Sequence, residues 1–346
     1  MSESEAMLAF TPPPLAMLRL WLAPARGWHR TSFIGVERVD PSCPTLFVGN
    51  HTLYGVQDVP HIVYNLKRVH GIFPRTLADR AHFAVPVWRD LLTAFGCVKG
   101  TRENCTALMR AGQHLMVFPG GGREVFKRKN ETNRLIWKER IGFVQLAAAF
   151  GYPIVPFASL GADESLHIAL DAGDIMSSPI GMLLRATGIA DKYLRGGEEL
   201  PPLVRGLGLT WIPEPERFFV SFGPAISTAH YRRRAEDVAA MHELRAKVAS
   251  SIEAQLEFLQ RMRGGMSGEG AGARRVRASD WDKLVAELET EVERVKRPRG
   301  GVSGEGADVR RVGTTDWDKL VAGLETQVER AKRQVTSRTK DRQRKA

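Results

Sequence analysis

Between about residue 45 and residue 226, short apolar runs alternate with segments of helical spacing. The runs TLFVGN (45–50), RTLA (75–78), GCVKG (96–100), HLMVFP (114–119), PIVPFA (153–158), GLTWIP (208–213) and RFFVSFG (217–223) predict strands. Helical periodicity fills DVPHIVYNLKRVHG (58–71), VPVWRDLLTAF (85–95), NCTALMRAG (104–112) and RIGFVQLAAAFG (140–151). Strands alternating with helices predict an α/β fold with a mostly parallel sheet covered by helices, and chemistry in the loops beyond the strand C-termini. Residues 163–206 are less regular and predict an insertion of short helices and loops that shapes a pocket.

The ends of the chain read differently. LAMLRLWLAPARGW (15–28) is a short apolar helix carrying Arg19, Trp21, Arg26 and Trp28. Such a helix suits either a membrane interface or packing on its own domain. From Arg263 the chain becomes Gly- and Ser-rich, and a closely similar stretch begins again at Arg299, a 36-residue period. Each copy predicts a linker and then a helix. The first has an apolar stripe of Trp281, Leu284, Val285, Leu288, Val292 and Val295, and the second one of Trp317, Leu320, Val321, Leu324 and Val328. Stripes of this kind pack against helices, so self-association through them is expected. The resulting organisation is an N-terminal interfacial region (1–32), a catalytic domain (33–262), a helical duplicated appendage (263–334) and a basic tail (335–346) expected to be disordered.

Composition narrows the function. A chain of 346 residues with 43% hydrophobic content can bury a large core. The formal charge is +11, but more than half of it lies from residue 263 onward, which weakens a nucleic-acid reading, and no aromatic-basic binding motif supports one. The three cysteines, Cys43, Cys97 and Cys105, form no Cys-x-x-Cys pair and no metal spacing with histidine, so no metal is expected; so few thiols suit a reducing compartment. Cys105 reads better as a plain thiol than as a nucleophile. No apolar run is long enough to span a bilayer.

Four blocks carry candidate chemistry. In LFVGNHTLYGVQDVP, His51 follows a strand, where an α/β protein presents catalytic groups, and Asp58 follows seven residues later. Histidine is the natural base for a hydroxyl at neutral pH, and a carboxylate commonly holds its tautomer. In GCVKGTRENC, Lys99 and Arg102 stand at a helix N-terminus with Glu103, where an anion such as a phosphate would fit; the plainer reading is an exposed basic turn capped by Thr101. In LMVFPGGGREVFKRKNE, Gly120, Gly121 and Gly122 allow backbone N–H groups to approach an oxyanion, and Arg123 and Glu124 follow; the spacing is neither a P-loop nor a dinucleotide fingerprint. In GYPIVPFASLGADE, Val155 and Pro156 end a strand that lines the same pocket.

The order of these blocks resembles the glycerolipid acyltransferase superfamily, nearest to the branch of monoacylglycerol and diacylglycerol acyltransferases and phytyl ester synthases, over roughly residues 33–226. The resemblance implies transfer of a fatty acyl group from a thioester donor, acyl-CoA or acyl carrier protein, to a lipid or alcohol hydroxyl. It implies His51 as the base, no acyl-enzyme, no other cofactor, and Arg102 and the Gly120–Gly122 block in substrate binding. The commonest family motif has its aspartate five residues after the histidine, where this chain has Val56. The phosphate-acceptor branch has Pro-Glu-Gly-Thr-Arg where this chain has Pro-Gly-Gly-Gly-Arg, which points to a more neutral alcohol. Poorly soluble substrates imply work at a membrane surface, peripherally and on its cytoplasmic face. The competing readings are a lipid ester hydrolase, although no Gly-x-Ser-x-Gly elbow is present, and a non-enzymatic lipid-surface scaffold using the duplicated helices.

Overall fold

The computed structural model describes residues 3–84, 86–208 and 210–266. The duplicated segments and the basic tail, and with them the self-association expected there, lie outside the described residues apart from the first few positions after 262. Among the described residues, nine strands occur in chain order: β1 (Ser32–Ile34), β2 (Leu46–Gly49), β3 (Arg75–Ala78), β4 (Val98–Lys99), β5 (Leu115–Val117), β6 (Ile154–Leu160), β7 (His167–Leu170), β8 (Leu203–Arg205) and β9 (Phe219–Phe222). Seven of them form one sheet in the order β1-β9-β6-β2-β5-β3-β4. Strands β6, β2, β5, β3 and β4 are mutually parallel. β9 runs antiparallel to β6, and β1 runs parallel to β9. The expected mostly parallel α/β sheet is therefore present, with two reversed strands at one side.

The central strands are apolar throughout because both faces of the sheet are covered. All four residues of β2 and all seven of β6 are buried. Successive side chains alternate between faces. Leu46 and Val48 join a core with Leu108, Val144, Leu244, Val248 and Ile252, under the helices Arg102–Arg110, Gly142–Phe150 and Val238–Met266. Phe47 points the other way, into a core with Ile62, Leu66, Phe157 and Phe222 under the helix Val59–His70. That helix starts with Pro60 in its first turn, where a missing N–H is harmless, and stops at Gly71 with φ 72°. The last described helix, Val238–Met266, continues unbroken through residue 262.

Two expectations change. GLTWIP is a turn rather than a strand: Gly206 N–H donates to Thr210 O and Leu207 N–H to Ile212 O, which leaves Trp211 84% exposed. The strand is β8, just before it, and it pairs antiparallel with β7 in a separate two-stranded sheet inside the insertion. The N-terminal segment is two helices, Leu15–Trp21 and Ala23–His29, interrupted at Leu22 because Pro24 cannot donate to the preceding turn. Leu18 is 1% exposed and belongs to the domain core, whereas Leu20, Trp21 and Trp28 face outward. No described helix is long and apolar enough to cross a membrane.

Candidate active site

The site grows from the end of β2. Asn50 Nδ2 donates to Ser159 O at 3.0 Å, and Ser159 N–H donates to Asn50 Oδ1 at 2.8 Å. This reciprocal pair clips the chain after β2 to the neighbouring β6, and His51 follows directly beyond the sheet. The chain then turns sharply: Gly55 N–H donates to Thr52 O, and Tyr54 and Gly55 both have positive φ, 58° and 61°. The His51 ring lies over the Gly55 α-carbon, so closely that a Cβ at this position would overlap Cε1 and Nδ1. Phe118, just past β5, packs on the same ring with centroids 4.5 Å apart.

The ring is partly exposed, but its Nδ1 is buried without a hydrogen-bond partner. Burial, reinforced by the nearby Lys127 ammonium, pushes the imidazolium down to about 3. His51 is a neutral imidazole across the physiological range.

Asp58 lies at the start of the helix Val59–His70 and is almost fully buried. Its Oδ1 accepts from Thr52 Oγ1 at 2.8 Å, while Oδ2 has no partner. Burial raises its carboxyl, and the Ser159 and Thr52 hydroxyls work against the rise. The carboxylate is thus tied to the residue after His51.

The glycine block forms a tight turn after β5, with Gly121 N–H donating to Phe118 O at 3.1 Å. Glu124 folds back over Gly120, where any Cβ would collide with its carboxyl, and Arg140 covers Gly121, whose φ is 56°. Arg123 makes a two-pronged ion pair with Glu131, Nη1 to Oε2 at 2.9 Å and Nη2 to Oε1. Glu124 is fully buried; its Oε1 accepts from Ile136 N–H and Oε2 has no partner. Burial pushes its carboxyl up to about 8, against the pull of Lys127 and of the Ile136 and His51 backbone N–H groups. Folded protein thus keeps this proton well above the ordinary 4.5 at which the unfolded chain releases it. The native state binds the extra proton, so stability falls as pH rises from about 4.5 to about 8. Glu124→Gln, neutral throughout, should flatten that stretch of the stability–pH curve. Urea unfolding at several pH values checks this, and an unchanged slope would reject a buried, protonated Glu124.

The second block lies further along the same edge, since β4 is separated from β2 by β5 and β3. Thr101 caps the helix Arg102–Arg110 by accepting from Asn104 N–H, and Arg102 and Glu103 are exposed in its first turn. The Glu103 carboxyl is held below its usual range by its own backbone N–H and the Thr101 hydroxyl. Lys99 lies over the Phe83 ring at 5.9 Å. Cys105 is buried, and its thiol is pushed up to about 11, so it is a poor nucleophile at neutral pH.

Several residues around His51 were not legible as site residues. Lys127 and Asp163 form a buried ion pair, and His82, after β3, is close enough for its charge to lower the His51 pKa. Lys127 sits in the run KRK, which reads as a solvated basic patch. Asp163 is the penultimate residue of the fourth block, three residues past the end of β6, and that position just beyond a parallel strand is the usable signal. The insertion does shape a cavity of ≈ 310 Å³: Asp163, Leu166 and Ile168 line it together with Leu53 and Lys127.

Residues 30–160 match the family model described as Acyltransferase. Phytyl ester synthase 2, chloroplastic, of Arabidopsis thaliana is 31% identical over 242 residues, covering 65% of this chain and 33% of that protein. The human DGAT1/2-independent enzyme synthesizing storage lipids is 31% identical over 148 residues, 43% of this chain and 45% of that protein. Among solved structures, the 1-acyl-sn-glycerophosphate acyltransferase of Thermotoga maritima superposes with a TM-score of 0.43 at 14% identity, covering 71% of this chain and 79% of that one. The chain spans about a third of the length of the phytyl ester synthases it matches. The sheet edge that carries His51 and the glycine block falls within residues 30–160, the segment that matches the Acyltransferase family model.

Proposed function

We propose that this protein transfers a fatty acyl group from a thioester donor, acyl-CoA or acyl carrier protein, to the hydroxyl of a lipid or long-chain alcohol. His51 acts as general base: Nε2 takes the hydroxyl proton while the alkoxide oxygen attacks the thioester carbonyl, and the thiol departs with a proton. No acyl-enzyme forms. The observation that carries this reading is an imidazole placed directly beyond the C-terminal end of a parallel strand, its Nδ1 buried and its pKa lowered by burial, which leaves Nε2 as the nitrogen proposed to meet the substrate. Accepting at Nε2 requires the proton on Nδ1, and Asp58 Oδ2, which has no other partner, is the carboxylate oxygen proposed to receive it when substrate tightens the loop. Lys99, Arg102 and Glu103 flank the donor's phosphates, and the Gly120–Gly122 turn with Arg123 shapes the acyl-transfer centre. Relatives named for phytyl ester and storage-lipid synthesis favour a neutral alcohol over a phosphorylated acceptor.

The test is incubation of purified protein with labelled oleoyl-CoA and a panel of diacylglycerol, monoacylglycerol, phytol and lysophosphatidate. A labelled ester supports transfer, and the accepting alcohol names the substrate class. Release of free fatty acid without ester from any acceptor would overturn it in favour of a hydrolase.

We further propose peripheral attachment to the cytoplasmic face of a membrane through the N-terminal helices, where Trp21 is 47% exposed. Trp21→Glu should weaken salt-sensitive flotation with anionic liposomes several-fold. Unchanged flotation would move the anchor elsewhere.

A further inference from the structure

We propose that the buried Lys127–Asp163 ion pair positions His51, by pinning the turn after the histidine to the chain behind the glycine block and to the end of β6. The proposal rests on the reading of His51 as the base. Lys127 Nζ and Asp163 Oδ2 are 2.6 Å apart, and the two side chains are 1% and 2% exposed. Asp163 Oδ1 accepts from Leu53 N–H at 2.7 Å, two residues after His51. Asp163 Oδ2 also accepts from Asn133 N–H at 2.8 Å. One carboxylate therefore ties together three segments: the turn carrying His51, the segment after the glycine block, and the loop leaving β6.

A buried ion pair is a poor way to gain stability, because desolvation of both charges consumes most of their attraction and apolar residues of similar size commonly do as well. What such a pair provides is a rigid, directional clamp. A rigid clamp is what the His51 turn needs, since that turn includes two residues in the left-handed region and carries the imidazole packed directly on one of them. The pair also acts on the ring through charge. Lys127 opposes protonation of the imidazole and Asp163 favours it; His82 opposes it too, while Glu124 lies against the His51 backbone and Asp58 holds the adjacent Thr52. With Lys127 in place the imidazole stays free to accept a proton.

The test joins spectroscopy to kinetics. Protein labelled with ¹⁵N-histidine is titrated by NMR, with the His51 resonances assigned from their loss in His51→Gln. Lys127→Met should raise the His51 titration by about one pH unit, as expected for removal of a nearby like charge. Lys127→Arg, which keeps the charge, should leave the titration near wild type. Asp163→Asn should lower kcat about tenfold or more with KM within about twofold, because a misplaced base harms the chemical step rather than substrate binding. An unshifted His51 titration in Lys127→Met, or wild-type kcat in folded Asp163→Asn, overturns the proposal. If Asp163→Asn does not fold, the two Lys127 titrations decide it. Separately, full turnover by His51→Ala would defeat the base reading itself, and the titrations would still show whether the pair governs the His51 imidazole.

Discussion

His51→Ala is expected to reduce ester formation by about 10²- to 10⁴-fold while leaving the protein folded, the usual cost of removing a positioned general base. The fold should survive because His51 lies beyond the end of β2 and makes no side-chain hydrogen bond that holds the sheet together. The pH profile of wild type adds a second check. A base must be deprotonated to work, and burial with the Lys127 charge holds the resting imidazolium at about 3. The acid limb of kcat/KM should therefore fall far below the ordinary 6.5 of histidine, with activity kept as pH drops through 6 and 5. A limb near 6.5, or near-normal turnover by folded His51→Ala, would remove His51 from the base role.

Gly55→Ala is expected to mimic the loss of the histidine while the histidine is still present. The α-carbon of Gly55 lies directly beneath the imidazole, and an added methyl would occupy the space of Cε1 and Nδ1. The ring must leave its position, and displacement of a catalytic group by about an ångström costs on the order of 10²-fold. The positive φ of 61° adds about 1–2 kcal/mol of backbone strain for any residue with a Cβ. The expected outcome is a folded protein, slightly less stable to urea, with kcat reduced about 10²-fold. Gly71→Ala is the control: its φ is 72° and a Cβ there meets nothing within 4 Å, so strain is present without a displaced histidine. If both variants lose activity equally, backbone strain rather than ring displacement is responsible.

Much of the fold was legible locally. RTLA reads as a strand and is β3 over the same four residues; DVPHIVYNLKRVHG reads as a helix and is Val59–His70, ended by the glycine where the pattern ended. These segments carry their own signals: β-branched or continuous apolar runs, a proline in the first helical turn, a glycine at the cap. GLTWIP carries the same alternation yet is a turn, because a strand also needs an edge to pair with, and β7 pairs with β8 instead. β1, three residues long, is too short to show a period and exists because β9 offers it a parallel partner.

The sequence by itself determined the alternation of strands and helices, the order of the four blocks, and so the resemblance to the acyltransferase family and the edge at which chemistry should lie. Those features are encoded in spacings along the chain, and spacing survives without knowledge of the third dimension. Only the tertiary structure decided what surrounds the histidine. It gave Asp58 to the Thr52 hydroxyl, paired Arg123 with Glu131, folded Glu124 into a site that keeps its proton, and brought Lys127 to Asp163. The physical reason is that burial and charge proximity depend on which distant segments share a desolvated space. A lysine in a run of basic residues looks solvated until the loop from β6 closes over it.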